Sequence, residues 1–174
     1  MELLFEPFPR LETERLVLRK LIDSDKKAIF EIRSNKEVNK FIDRPVPENI
    51  SDIETFIKMI DQLINTNKGI YWVIEHNNTL IGSIGLRHFN HEFSYAEIGY
   101  ELHPDFHRKG FMSESLQKVT HFGFSKLNLK AIEAFTHKNN ESSIALLNKN
   151  NFIYQPKRRD KGFENNRIFR IENN

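Results

Sequence analysis

The chain has 174 residues, 39% of them hydrophobic and 29% charged, with a net charge of +2 and no cysteine. That balance suits one domain over residues 1–174, able to bury roughly 70% of its unfolded surface. The near-neutral charge excludes a general field for nucleic acid, and the missing thiols exclude disulfides, zinc–thiolate centres and a cysteine nucleophile.

The opening "MELLFEPFPRLETERL" is interrupted by Glu2 and Glu6 and has no basic start, so it does not read as a signal peptide. No apolar run approaches the ~20 residues of a membrane span. A cytoplasmic location is the expectation, without membrane or nucleic-acid partners.

In chain order, "ERLVLRKL" alternates and predicts a strand over Arg15–Lys20. "DSDKKAIFEIRSN" predicts a helix capped by Asp23 or Ser24, with Ala28, Ile29 and Ile32 inward. Pro45 and Pro47 make "FIDRPVPEN" a loop. "SDIETFIKMIDQLIN" restarts a helix, with Ser51 and Glu54 as capping box and an apolar stripe through Ile53, Ile57, Ile60 and Ile64. "IYWVIEH" and "LIGSIGLRHF" flank the turn "NNT" as a hairpin, and "YAEIGYELH" is a third strand, ended by Pro104. A helix from Gly110 to about Leu127 carries Met112, Leu116, Val119 and Gly123 on its inner face. "KAIEAFT" is a strand, "NESSIALLNKNN" a short helix, and "FIYQPKRR" and "NRIFRIE" are closing strands. The strand–helix–strand unit around Gly110 requires a parallel pair, so the expected architecture is a mixed α/β sheet with helices on both faces.

The stretch "HPDFHRKGFMSESLQ" sets His107, Arg108 and Lys109 before a helix start, where the helix dipole repels cations unless an anion sits among them. Gly110 lets a ligand approach the unpaired amides of that helix start, a phosphate-binding arrangement. Neither a Walker loop nor a dinucleotide glycine pattern is present. The alternative is a solvated basic loop with a glycine turn. The seven histidines show no metal-ligand spacing, so no metal is expected. "PKRRDKG" lacks interleaved aromatics and reads as a solvated hairpin tip.

"AEIGYELHPDFHRKGFMSESLQ" followed by "NNESSIALLNKNNF" resembles the GNAT acyl-CoA N-acyltransferases, and within them the RimJ/RimL-type branch that acetylates protein N-termini. The resemblance covers nearly the whole chain in element order. It implies a GNAT-like, mostly antiparallel sheet with one parallel pair splayed for acetyl-CoA. It places His107, Gly110 and Met112 at the three defining positions of the pyrophosphate segment, with Arg108, Lys109, Phe111 and Ser113 beside them. His107 departs from the family's Gln or Arg, Met112 from its small residue, and Asn151 from its Gly. Met112 should therefore point into the core, and Asn151 should take the left-handed conformation after the short helix.

The resemblance also implies that main-chain groups from Glu101 through Leu102 to His103 pair with pantetheine as an added strand. Glu97 and Glu101 are the candidate bases, sharing a strand face about 13 Å apart; Glu97 is favoured, and a water relay stays open. The family's acid tyrosine falls on Leu147. The branch instead implies Ser143 as the acid, with Asn140 holding pantetheine; helix capping explains Asn140 equally well. The expected acceptor is an amine of a protein N-terminus. Alternatives are a small polyamine or aminoglycoside, for which Asp43, Glu48, Asp52 and Glu54 could supply charge, or a non-enzymatic coenzyme A-binding module. Either a monomer or a homodimer fits.

Overall fold

Residues 3–92 and 94–173 are described by the computed structural model. The strands are β1 (Leu11–Glu12), β2 (Val17–Lys20), β3 (Gly69–His76), β4 (Thr79–Asn90), β5 (Tyr95–Leu102), β6 (Ala131–His137), β7 (Ile153–Tyr154) and β8 (Asn166–Glu172). The helices are α1 (Lys26–Ser34), α2 (Lys36–Asn39), α3 (Ile50–Asn65), α4 (Phe111–Ser125) and α5 (Glu141–Lys149). All eight strands form one sheet in the order β1-β2-β3-β4-β5-β6-β8-β7. Among the described residues only β5 and β6 pair in parallel, joined by the crossover through α4, so the expected mixed sheet is present.

Period-two alternation sorts the sheet into two faces. Trp72, Leu86 and Ile132 lie on one face beneath α4, where Phe122 meets Trp72 edge-on with ring centroids 5.4 Å apart. Gly123 is the close-approach residue there, since a Cβ on it would stand 2.9 Å from the Ile132 side chain. Tyr71, Ser83 and Glu101 point to the other face, which α1 and α3 cover through Phe56 on Tyr71 and Arg33 on Glu101. Trp72 is fully buried and donates its indole N–H to the Pro9 carbonyl at 2.7 Å. Each of these apolar side chains contributes about 1.5–3 kcal/mol on burial.

Several boundaries differ from the sequence reading, each for a local reason. Asn49, not Ser51, caps α3: its side chain accepts from Asp52 N–H, and Asp52 reaches back to close the box. Two overlapping boxes are written in "NISDIE", and the one with the extended residue outside the helix wins. The first helix starts at Lys26 after a 3-10 turn over Asp23–Asp25. Asp25 is drawn instead into a bidentate pair with Arg19 at 2.8 and 2.9 Å. The predicted strand "FIYQPKRR" shrinks to Ile153–Tyr154, because Pro156 cannot donate and Arg158 turns away to bind Glu133. No helix among the described residues is long and apolar enough to cross a membrane.

Candidate active site

Strands β5 and β6 pair only from Tyr95–Ala131 to Ile98–Ala134, yet β5 continues to Leu102 and β6 to His137. Beyond Ile98 the two strands part company, and β5 keeps only β4 while β6 keeps only β8. The gap opens towards the N-terminus of α4. A backbone edge left unpaired between two strands is a template for an extended, amide-bearing ligand.

At the mouth of α4 the chain makes a 3-10 turn over Pro104–Phe106, then passes through left-handed Arg108 (φ 59°) and Gly110 (φ 81°). The first bond of the helix is Glu114 N–H to the Gly110 carbonyl at 3.0 Å. The amides of Gly110, Phe111, Met112 and Ser113 meet no acceptor among the described residues, and no side chain caps them. Their side chains leave that mouth clear: Phe111 and Met112 are buried in the core, and Ser113 donates to Asn150 at 3.0 Å. His107 donates through Nε2 to the Leu102 carbonyl at 2.9 Å, tying the loop to the end of β5. Lys109 donates to the Asp105 carbonyl at 2.8 Å, whereas the exposed Arg108 guanidinium has no partner among the described residues. His103 receives the Asp105 amide on Nδ1 and donates its own amide to the Ile81 carbonyl.

Arg15, which carries no motif in the sequence, completes this mouth. It donates to the Lys109 carbonyl at 3.0 Å, pairs with Glu114 at 2.8 Å and lies over the Phe111 ring. A Cβ on Gly110 would stand 3.3 Å from its guanidinium. Burial alone would raise the Glu114 carboxyl, but donors from Thr13 and Arg15 outweigh it and hold the group below the ordinary glutamate value. Bare amides, a helix dipole and guanidiniums around a glycine are a site for a multiply charged anion.

On the α4 face of the gap, Tyr100 of β5 and Ser143 of α5 share a hydrogen bond of 2.7 Å. Burial pushes the Tyr100 phenol up to about 12, against an opposing pull from Ser143. Asn140 caps α5 through Oδ1, accepting from Ser143 N–H at 3.2 Å and from Ser142 Oγ at 3.0 Å. Its Nδ2 group donates to nothing among the described residues. The far end of α5 closes as expected on left-handed Asn151 (φ 64°), with Phe152 N–H on the Leu147 carbonyl and Asn151 N–H on that of Asn148.

The opposite face holds the carboxylates. Glu97 lies level with the apex of the gap, across from Arg87 on β4 and Glu133 on β6. It accepts from His88 Nδ1 at 2.8 Å, a contact made by a bulge in β4 that sets His88 at φ 49°. Glu101 is almost wholly buried, with Arg44 Nη1 at 2.5 Å, Arg33 at 3.6 Å and Ser83 Oγ at 3.4 Å. Burial depresses the Arg33 guanidinium, with Glu101 opposing and Arg44 reinforcing that shift. Phe41 stacks on His137 at the end of β6, ring centroids 5.3 Å apart. The loop between α2 and α3 is therefore pinned to both diverging strands and roofs the gap. Glu133 is gripped by Arg158 and Arg170, so the β7–β8 tip is anchored to β6 and is not merely solvated. Replacing Glu101 by Ala strands two guanidiniums in a buried site; a stability loss of about 3–5 kcal/mol is expected from denaturant midpoints. A loss below about 1 kcal/mol would show that the loop is held some other way.

Residues 15–153 match the family described as an acetyltransferase (GNAT) domain. The chain belongs to the GNAT acetyltransferases. Among relatives of this GNAT enzyme, the N-acetyltransferase YoaA of Bacillus subtilis is 43% identical over 150 residues, covering 83% of both chains. A ribosomal-protein-S5-alanine acetyltransferase from Vibrio fischeri superposes with a TM-score of 0.82 at 18% identity, covering 95% of this chain and 97% of that one. RimL, a ribosomal L7/L12 alpha-N-protein acetyltransferase in complex with coenzyme A, superposes at 0.81 with 19% identity over 94% of this chain and 98% of that one. At such identities the two structures speak to the fold alone. Among the described residues no group of three or more His, Asp or Glu is placed to hold a metal ion in this acetyltransferase.

Tyr100, Arg15, Arg44 and Glu133 are residues around the gap and the mouth of α4 that sequence reasoning passed over. Each acts through a partner between 25 and 99 positions away, so no local pattern announces it. Tyr100 had one signal: a polar tip at a strand position whose neighbours, Ile98 and Leu102, are core.

Proposed function

We propose that this acetyltransferase moves the acetyl group of acetyl-CoA to the α-amine of a protein or peptide N-terminus. The observation that carries the reading is the parting of β5 and β6 in front of the bare N-terminus of α4. The thioester supplies an activated acyl group when the coenzyme is bound; the chain's own groups do the rest. Amides of Gly110 to Ser113, with Arg108 and Lys109, would hold the diphosphate. Backbone groups of Leu102, which face the unpaired edge of β5, and Nδ2 of Asn140 would hold pantetheine, since His103 spends its amide on Ile81 and its carbonyl on Phe106. His107 would keep the loop in register with that edge. Ser143, oriented by Tyr100, would give its proton to the departing thiolate. Glu97, directly or through one water, would take the proton of the attacking amine. Glu101, committed to two guanidiniums, would hold the roof rather than move a proton.

Free-energy arithmetic supports an α-amine. With a pKa of about 7.7–8.0 it is deprotonated at pH 7 for about 1–1.4 kcal/mol, against about 4.6 for a lysine side chain at about 10.4. Of the four carboxylates that would serve a polycation, two are engaged elsewhere, Asp52 on the α3 cap and Glu54 on Lys26 at 3.1 Å, which leaves Asp43 and Glu48. Thiol release with acetyl-CoA should be faster by at least about tenfold for a lysine-free peptide than for its N-terminally blocked, lysine-containing counterpart or for spermidine. The reverse order would overturn the N-terminal reading, and silence with every amine would leave a coenzyme-binding module.

A further inference from the structure

We infer that the acceptor of this enzyme bears a carboxylate within a few atoms of the reacting amine, and that Arg87 receives it. The inference rests on the acetyl-transfer reading and adds the acceptor's chemistry. Gly99 is the first β5 residue past the last parallel pair, so its open side marks the apex of the gap. A Cβ built on Gly99 would meet nothing within 4 Å except the Arg87 guanidinium, with Cζ and one terminal nitrogen at 3.9 Å. The Arg87 side chain is exposed and its guanidinium makes no hydrogen bond or ion pair among the described residues, although Glu97 stands opposite it in register. Glu97 turns instead to His88. The guanidinium thus lies uncommitted over the point to which an acyl group held along β5 would extend.

The surroundings carry the same sign. Glu101 is shared by two guanidiniums, and the buried Nη2 of Arg44 finds no acceptor among the described residues. Glu133 is shared by Arg158 and Arg170, though Arg170 also pairs with Glu172 at 3.1 Å. Residues 155–167, the tip anchored beside the gap, carry five cations against Asp160 and Glu164. An acceptor whose only charge is positive meets an excess of cations at the roof over Glu101 and at the 155–167 tip. One that brings a carboxylate gives Arg87 the bidentate partner its planar fork fits, and orients the amine at the same time. A free amino acid offers that carboxylate on its α-carbon; a peptide offers it as an acidic residue in first or second place.

The test measures kcat/KM for amidated tetrapeptides differing only at position two (Asp, Ala or Lys), beside free serine and aspartate, with wild-type enzyme and with Arg87→Gln and Arg87→Glu. The expected result is at least about a tenfold preference for Asp over Lys in the wild type. Arg87→Gln should flatten that preference, Arg87→Glu should invert it, and rising salt should narrow it. Acetyl-CoA affinity by calorimetry should not move in either variant. Preferential use of free serine and aspartate over peptides would support the same recognition and name the amino acid as its source. Transfer to peptides with no position-two preference, or a preference that survives Arg87→Glu, overturns the inference while leaving acetyl transfer intact. Loss of coenzyme affinity in the Arg87 variants overturns it too, since Arg87 would then serve the donor. No transfer to any of the acceptors defeats both readings together.

Discussion

Gly110→Val is expected to lower acetyl-CoA affinity by at least about a hundredfold while the protein stays folded. Three terms lead to that result. A branched residue at φ 81° carries left-handed strain of about 1–2 kcal/mol, which a domain with 5–15 kcal/mol of stability survives. The new side chain also stands where a diphosphate would rest against the amides of residues 110–113. Its first carbon, 3.3 Å from Arg15, pushes on the guanidinium that holds the Lys109 carbonyl. Each charge-assisted hydrogen bond forfeited is worth about 1.5–3 kcal/mol, so losing one or two gives the hundredfold, about 2.7 kcal/mol. Gly162→Ala separates strain from obstruction. Gly162 has φ 89° and nothing within 4 Å of a built Cβ, so its variant should lose stability without losing coenzyme affinity. Calorimetric binding together with thermal midpoints reads both. Equal affinity for Gly110→Val and the wild type would move the anion site away from α4.

The parts of the fold legible in the sequence were those written locally. Gly110 before a 3.6-residue stripe marks the start of α4, and Asn151 after the α5 apolar face closes that helix as the spacing requires. Local writing also misleads where two signals overlap. Asn49 and Ser51 both begin plausible boxes, and only the backbone, extended at Asn49, decides between them. Site residues divide in the same way. The amide cradle follows from chain order, because a parallel strand must be followed by a helix pointing back across the sheet. The carboxylates do not, because Glu97, Glu101 and Glu133 look alike along their strands and differ only in what reaches them. Glu97 meets a histidine from a bulge; Glu101 and Glu133 each meet two arginines, and all four come from other parts of the chain. Gly99 is the inverse case. Its lack of a side chain reads as a weak strand position, and only the third dimension shows Arg87 lying across it.

Tyr100→Phe, Ser143→Ala and the double variant are expected to share one ceiling. If Ser143 protonates the thiolate, its removal should lower kcat with little change in KM for acetyl-CoA. The size of that loss is bounded by the leaving group. A thiol near pKa 8.5 is only about 1.5 units above neutral pH, so the acid is worth the low end of the usual 10²–10⁴-fold range, or about 10–100-fold. Tyr100 touches the reaction only through the 2.7 Å bond to Ser143, which makes it a positioning residue. Phe keeps its packing and removes that bond, leaving the serine hydroxyl free to rotate; a loss of about 3–10-fold in kcat is expected. Once Ser143 is Ala the phenol has nothing left to orient, so the double variant should match Ser143→Ala alone rather than multiply the two losses. With its phenol held up to about 12 by burial, Tyr100 stays protonated through the assay range. The alkaline limb of the wild-type pH profile below that point should therefore be identical in Tyr100→Phe. Full multiplicativity in the double variant would mean that the two hydroxyls act on different atoms, and an unchanged kcat in Ser143→Ala would leave the thiolate to depart unprotonated or with a proton from solvent.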